Sequence, residues 1–323
     1  MTGLSIDLDD VEFLGAGLVR PECVLCTKAG TLFVSDWDGG VTRIGPDGGQ
    51  TRILAPASAG LRPNGIALSR DGSFLIAHLG DTEGGVFRLR RDGGLEPVLI
   101  EVAGEALPPT NFVMEDALGR LWITVSTPRA PRHLGYRRDL AEGFIVLLDP
   151  RGARVVARDL GYTNEVQIDP SGEWLYVNET FGRRLSRFRI GANGDLSERQ
   201  TVTEFGLGTF PDGLAFDCEG AAWVVSIVSN RVIRVDREGR QEILLEDSDA
   251  EHLAWVEAAY EAGTLGRPHL DRAASRRLRN VSSLAFGGPD LKTVTLGCLL
   301  GDSLARFRSP VAGWPLPHWE IAG

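Results

Sequence analysis

Apolar positions along the chain come in short bursts that recur in one order. A polar residue opens an apolar run, and a glycine follows eight positions after the polar one: Glu22 with Gly30, Asn64 with Gly72, Asn111 with Gly119, Asn164 with Gly172 and Asp212 with Gly220. Turn pairs such as Asp71-Gly72 and Glu219-Gly220 close hairpins, because glycine accepts the positive φ required there. Each glycine leads into a second β-rich run: Leu32-Phe33-Val34, Phe74-Leu75-Ile76, Leu121-Trp122-Ile123, Trp174-Leu175-Tyr176 and Trp223-Val224-Val225. Third runs follow at 41–44, 86–89, 144–147, 185–188 and 232–235, so the pattern predicts hairpin upon hairpin.

A divergent sixth copy runs from Val281 to Phe286, through 294–296, to 304–307, with Ser282 in the polar position. The polar starts at 22, 64, 111, 164, 212 and 282 are mostly about 40 to 55 residues apart, the blade length of a propeller. The fold class predicted is all-β, a six-bladed β-propeller forming a single domain over residues 1–323, with a helical insertion between blades 5 and 6. Ring closure removes open sheet edges. Either the N-terminal run 11–14 or the C-terminal run 318–321 should therefore complete the last blade.

Composition acts mainly by exclusion. Forty glycines and seventeen prolines spread through 323 residues suit many short strands, and 43% hydrophobic residues suffice for a core. A net charge of -10 argues against nucleic acid, which needs clustered Lys and Arg. The first ten residues lack a basic-then-apolar leader and no apolar run approaches ~20 residues, so no membrane association and a cytoplasmic location are expected. Cys23 and Cys26 have the spacing of a redox or zinc pair. On a strand, however, residues three apart face opposite ways, and buried unpaired thiols are expected instead.

In a propeller the first strand of each blade lines the channel. Glu22, Asn64, Asn111, Asn164, Asp212 and Ser282 should therefore form a ring at one opening. Turn capping explains Asn, Asp and Ser singly. It explains poorly two carboxylates facing a narrow channel, which raise each other's pKa unless a cation lies between them. Oxygen ligands suit a hard divalent ion such as Ca²⁺, with Mg²⁺, Mn²⁺, Zn²⁺ or Fe²⁺ as alternatives.

The segments Arg20-Pro21-Glu22, Thr110-Asn111 with Asp116 and Gly119-Arg120-Leu121-Trp122, Thr163-Asn164, and Phe210-Pro211-Asp212-Gly213-Leu214 with Asp217 and Gly220 resemble the SMP-30, gluconolactonase and luciferin-regenerating-enzyme family of six-bladed propellers. The resemblance implies Glu22, Asn164 and Asp212 as metal ligands and Asn111 as a contact to substrate or to water at the ion. It implies a lactonase, or the organophosphate hydrolysis of a related branch. Sugar lactonases of the family tend to have Arg two residues before the matching Asn and Asp directly after it; Pro109 and Phe112 stand there instead, which points to a less polar lactone or ester.

Insertions at 126–142 and 247–278 should overhang the ring. The second is predicted helical, with a cap in Asp247-Ser248-Asp249 and apolar Leu253, Val256 and Tyr260; it reads either as a lid or as a homo-oligomer contact. His78 ends a second strand near the mouth, while His133, His252 and His269 fall in the insertions. Trp37 would wall the pocket; Trp122, Trp174 and Trp223 would pack between blades.

These residues together suggest metal-assisted opening of a small-molecule lactone or ester by activated water. Asp212 or a mouth histidine would take the proton, Asn111 would orient the carbonyl or developing oxyanion, and Asn64, Phe112, His78 and Trp37 would contact substrate. The alternatives are a metal-dependent phosphotriester hydrolase and a non-catalytic binding propeller.

Overall fold

Gly72 (φ 81°) and Gly220 (φ 82°) occupy the left-handed conformation that the predicted hairpin turns require. Around such turns the computed structural model, which describes residues 5–321, forms six four-stranded antiparallel sheets. Blade 1 comprises Val24–Cys26, Leu32–Asp36, Gly40–Ile44 and Gln50–Leu54; blade 2 comprises Pro63–Leu68, Phe74–His78, Val86–Leu89 and Leu95–Leu99. Blade 3 is built from Phe112–Glu115, Leu121–Val125, Gly143–Asp149 and Gly152–Leu160, and blade 4 from Thr163–Ile168, Trp174–Glu179, Arg184–Ile190 and Leu196–Glu204. Thr209–Phe216, Ala222–Val228, Arg231–Val235 and Gln241–Glu246 make blade 5. The chain is a six-bladed β-propeller.

Blade 6 has strands Val281–Gly287, Thr293–Cys298 and Leu304–Arg308, and its fourth strand is Glu12–Leu14 from the start of the chain. Glu12 pairs with Arg306 and Leu14 with Leu304, so the N-terminal run closes the ring. The C-terminal run does something else. Residues 312–319 cross the far end of the channel, where Cys218 N donates to Ala312 O, Trp314 N to Phe216 O and Lys28 N to Trp319 O, each at 2.8 Å. Leu316, Pro317, His318 and Ile321 close over Leu25, Ile66, Met114 and Gln167 from the first strands.

Two buried indoles anchor the blades. Trp122 Nε1 donates to Asp116 and Trp223 Nε1 to Asp217, each at 2.9 Å. Each carboxylate also accepts two backbone N–H groups of its turn and an arginine Nε. Trp174 is half-buried and stacks under Arg187, with the guanidinium 4.5 Å from the ring. The Cys23 and Cys26 thiols are buried and free.

The helix α1 (Ala250–Glu261) occupies the second insertion, capped by Asp249, whose carboxylate accepts from His252 N at 2.8 Å. Asp247 instead ties the insertion's end, accepting from the backbone N–H of Arg276, Arg277 and Leu278. Val256 and Tyr260 of α1 bury against Phe181, Phe210 and Tyr162, and Tyr260 Oη donates to Phe181 O at 2.6 Å. The Glu257 carboxylate meets the Arg183 guanidinium at 2.5 Å. The helix thus packs on the rims of blades 4 and 5. Among the described residues no helix is long and apolar enough to cross a membrane.

Candidate functional site

In four blades the first strand slips register at its polar residue: between Pro63 and Ile66, Thr163 and Val166, Pro211 and Leu214, and Val281 and Ser283. A bulge re-aims side chains out of the sheet alternation. Asn64, Asn164, Asp212 and Ser282 all sit at these slips. Gly65 and Gly213, next to two of them, let neighbouring blades close: a methyl group at Gly213 would lie 2.5 Å from Ser283 Cα, and one at Gly65 would lie 2.7 Å from Phe112 Cα.

The ring that results is buried, with Glu22, Asn64, Asn111, Asn164 and Asp212 each at most 5% exposed. Asn64 Nδ2 donates to Glu22 Oε1 and to Asn111 O, both at 2.9 Å, and Ser282 Oγ donates to Glu22 O at 2.8 Å. Asn111 Nδ2 donates to Ser126 Oγ at 3.0 Å, which turns its Oδ1 toward Asn64. Asn164 Nδ2 donates to Thr180 Oγ1 at 3.0 Å, and Asn178 Nδ2 holds the backbone carbonyls of Asp212 and Gly213.

Two buried acceptors at the mouth, Glu22 Oε2 and Asn164 Oδ1, have no hydrogen-bond partner. A buried acceptor left bare costs roughly 1–3 kcal/mol, so such atoms call for a ligand. Asp212 lies beside Asn164 and within electrostatic reach of Glu22. Burial pushes the Glu22 carboxyl up to about 7, opposed by Arg20, Arg132 and the Asn64 bond. Asp212 is pushed well above the usual carboxylate range by burial and then by Glu22. Glu165, which accepts from Leu214 N at 2.8 Å, is raised by burial, Glu22 and Asp212. Among the described residues no three His, Cys, Asp or Glu side chains form a metal cluster. The donor set here is two carboxylates and an amide, an all-oxygen set that fits a hard divalent cation.

The remaining predicted residues distribute unevenly. Trp37 stands at the mouth, with the Arg20 guanidinium 4.3 Å from its ring. His78 is held at the rim of blade 2: its Nδ1 accepts from Arg62 N at 3.0 Å, and Nε2 lies 3.7 Å from Glu83. Phe112 packs with Leu25, Ile66 and Met114, toward the closed end of the channel.

Sequence reasoning did not single out Arg20, Arg132 or Glu165 as parts of the site. Arg20, at φ 48°, sends Nη1 to Asn64 Oδ1 at 3.0 Å. Arg132 reaches Ser126 Oγ at 3.1 Å from the first insertion. Glu165 directly follows Asn164, a third carboxylate beside the ring that its place next to a ring residue could have flagged.

Residues 20–246 match the family described as SMP-30/Gluconolactonase/LRE-like region. A 6-deoxy-6-sulfogluconolactonase of Pseudomonas putida is 28% identical over 207 residues, covering 62% of this chain and 66% of that protein. The protein STRICTOSIDINE SYNTHASE-LIKE 4 of Arabidopsis thaliana is 28% identical over 231 residues, 68% of this chain and 60% of its own. These matches span less than two thirds of the relatives' length. Among solved structures, the calcium-binding protein regucalcin of Agrobacterium tumefaciens superposes with a TM-score of 0.67 at 17% identity, covering 96% of this chain and 98% of that one.

Proposed function

Because the chain belongs to the SMP-30/gluconolactonase/LRE-like family, we propose that it is a divalent-metal-dependent hydrolase opening a lactone or a related carboxylic ester. The observation that carries the reading is the pair of bare buried oxygens, Glu22 Oε2 and Asn164 Oδ1, set beside the Asp212 carboxyl. The likeness to a sulfogluconolactonase supports the bond type, and the likeness to a calcium-binding protein supports calcium as the ion.

Glu22, Asn164 and Asp212 would hold the cation. What a divalent ion supplies there is Lewis acidity toward a carbonyl oxygen and a lowered pKa for water. Asp212, whose carboxyl is pushed upward by burial and then by Glu22, is the group set to take a proton from an attacking water. Asn111 commits one N–H to Ser126 and turns its Oδ1 toward Asn64, which leaves its second N–H to orient a carbonyl or a developing oxyanion. Burial of the whole ring excludes bulk water, which strengthens each of these contacts. With Pro109 in place of an arginine and the Phe112 side chain turned to the apolar cluster below, these two positions of blade 3 offer substrate hydroxyls no polar side chain.

The test is a panel of five- and six-membered lactones, with acid release followed by a pH indicator, before and after exhaustive chelation and with single-metal add-back. Activity should vanish with the metal, return with Ca²⁺ or a similar ion, and be absent from Asp212→Ala. Full turnover in a preparation shown by elemental analysis to be metal-free would end this reading.

A further inference from the structure

We propose that the substrate carries a negative charge, and that Arg20 and Arg132 form the subsite that receives it; this deepens, and rests on, the reading of the mouth as a hydrolase site. Arg20 and Arg132 converge on that mouth from different parts of the fold, blade 1 and the first insertion, and each acts electrostatically on both Glu22 and Asp212. Yet among the described residues neither guanidinium makes an ion pair with any carboxylate. Their hydrogen bonds go to neutral groups: Arg20 Nη1 to Asn64 Oδ1 at 3.0 Å and Arg132 Nη2 to Ser126 Oγ at 3.1 Å. Arg132 Nε is buried without any partner.

Aromatic rings hold both arginines in place. Arg20 stacks on Trp37 at 4.3 Å and Arg132 faces Tyr162 at 5.5 Å. Stacking fixes a guanidinium's plane while leaving its edge donors available to a carboxylate, sulfonate or phosphate. Arg267 of the second insertion also lies within electrostatic range of Arg20, but it is paired with Asp271 at 2.5 Å.

Charge balance points the same way. Glu22 and Asp212 can offset the two guanidiniums only while nothing else claims them. Once those carboxylates engage a divalent cation, the two guanidiniums lose Glu22 and Asp212, the carboxylates they act on at the mouth. A buried uncompensated charge is strongly disfavoured. An oxyanion arm on the substrate restores the balance, whereas a neutral lactone does not.

The experiment compares lactones that differ only in one side arm: a carboxylate, a sulfonate or a phosphate against a neutral amide. The variants are wild type, Arg132→Gln, Arg132→Lys and Arg20→Gln, each checked for its fold by circular dichroism. The matching tetrahydrofurans, which keep the arm and cannot be hydrolysed, are titrated by calorimetry into Ca²⁺-loaded and metal-free protein. We expect at least one anionic arm to raise kcat/KM over the amide by roughly tenfold or more, as a charge-assisted contact should. The ratio should fall by about the same factor in Arg132→Gln and recover in part in Arg132→Lys. The inert anionic ethers should bind more tightly than the amide ether, and Arg132→Gln should abolish the difference.

Equal kcat/KM for charged and neutral lactones would overturn the subsite. So would an equal loss for both in the arginine variants, which is the mark of arginines that assist only the bond-breaking step. If no lactone is opened but the anionic ethers still bind through Arg132, the hydrolase reading fails and the anion subsite stands.

Discussion

Removing the charge of Glu22 while keeping its shape should stabilise the metal-free protein, and only above a defined pH. The Glu22 carboxyl is raised from 4.5 to about 7, chiefly by burial. At ~1.4 kcal/mol per pH unit, its ionised form is disfavoured in the folded chain by about 3 kcal/mol. Because the folded value lies above the unfolded one, the protonated carboxyl stabilises the fold fully below about pH 4.5, and that contribution is lost as pH rises through 7. Glu22→Gln keeps an acceptor for Asn64 Nδ2 and cannot ionise. In chelator, wild type should therefore lose stability between pH 5 and 8, and the variant should lose about 3 kcal/mol less. For a chain of this length that corresponds to about 5 °C in Tm, measured by calorimetry across the pH series. Saturating Ca²⁺ should reverse the order at pH 8, since only wild type offers both carboxylates to the ion. A variant less stable than wild type by the same margin at pH 5 and pH 8, in chelator, would refute the reasoning.

Two further outcomes test the scaffold. Burial holds His318 down to about 4, so folded stability is intact above pH 6.5 and is lost as pH falls toward 4; His318→Gln should flatten that acid limb, seen as a Tm difference from wild type that changes between pH 7 and pH 4.5. Asp217→Ala strands Trp223 Nε1, two turn N–H groups and Arg234, and should cost about 3–5 kcal/mol in the denaturant midpoint, against ~0.5 kcal/mol if the cluster is incidental.

The first three strands of each blade were legible because they are the buried ones. In Phe74–His78, for instance, all five residues are buried, so hydrophobicity marks the strand from end to end. The fourth strands of blades 1 to 5 were not legible, and that of blade 6 was narrowed only to two candidate runs. Gln50–Leu54 and Leu196–Glu204 are largely exposed, carry polar residues and hold their place by ladder hydrogen bonds, which leave no apolar signature. The polar ring was visible as a repeated start, and the structure gathers it. Phe112 illustrates the limit of that reasoning: it follows a ring residue, yet its side chain goes to the apolar cluster below. Arg20 and Arg132 were out of reach for another reason. Each reaches the mouth through a local conformation, a left-handed residue and an insertion turn, that no periodicity encodes.

The segment laid across the far end of the channel makes the pore a cul-de-sac. Whatever arrives at the ring must leave by the doorway it came through, so departure and the next arrival exclude one another. Under the proposed hydrolysis, a hydroxy acid formed inside would compete with its own precursor for the ring, and its release past the mouth would pace turnover.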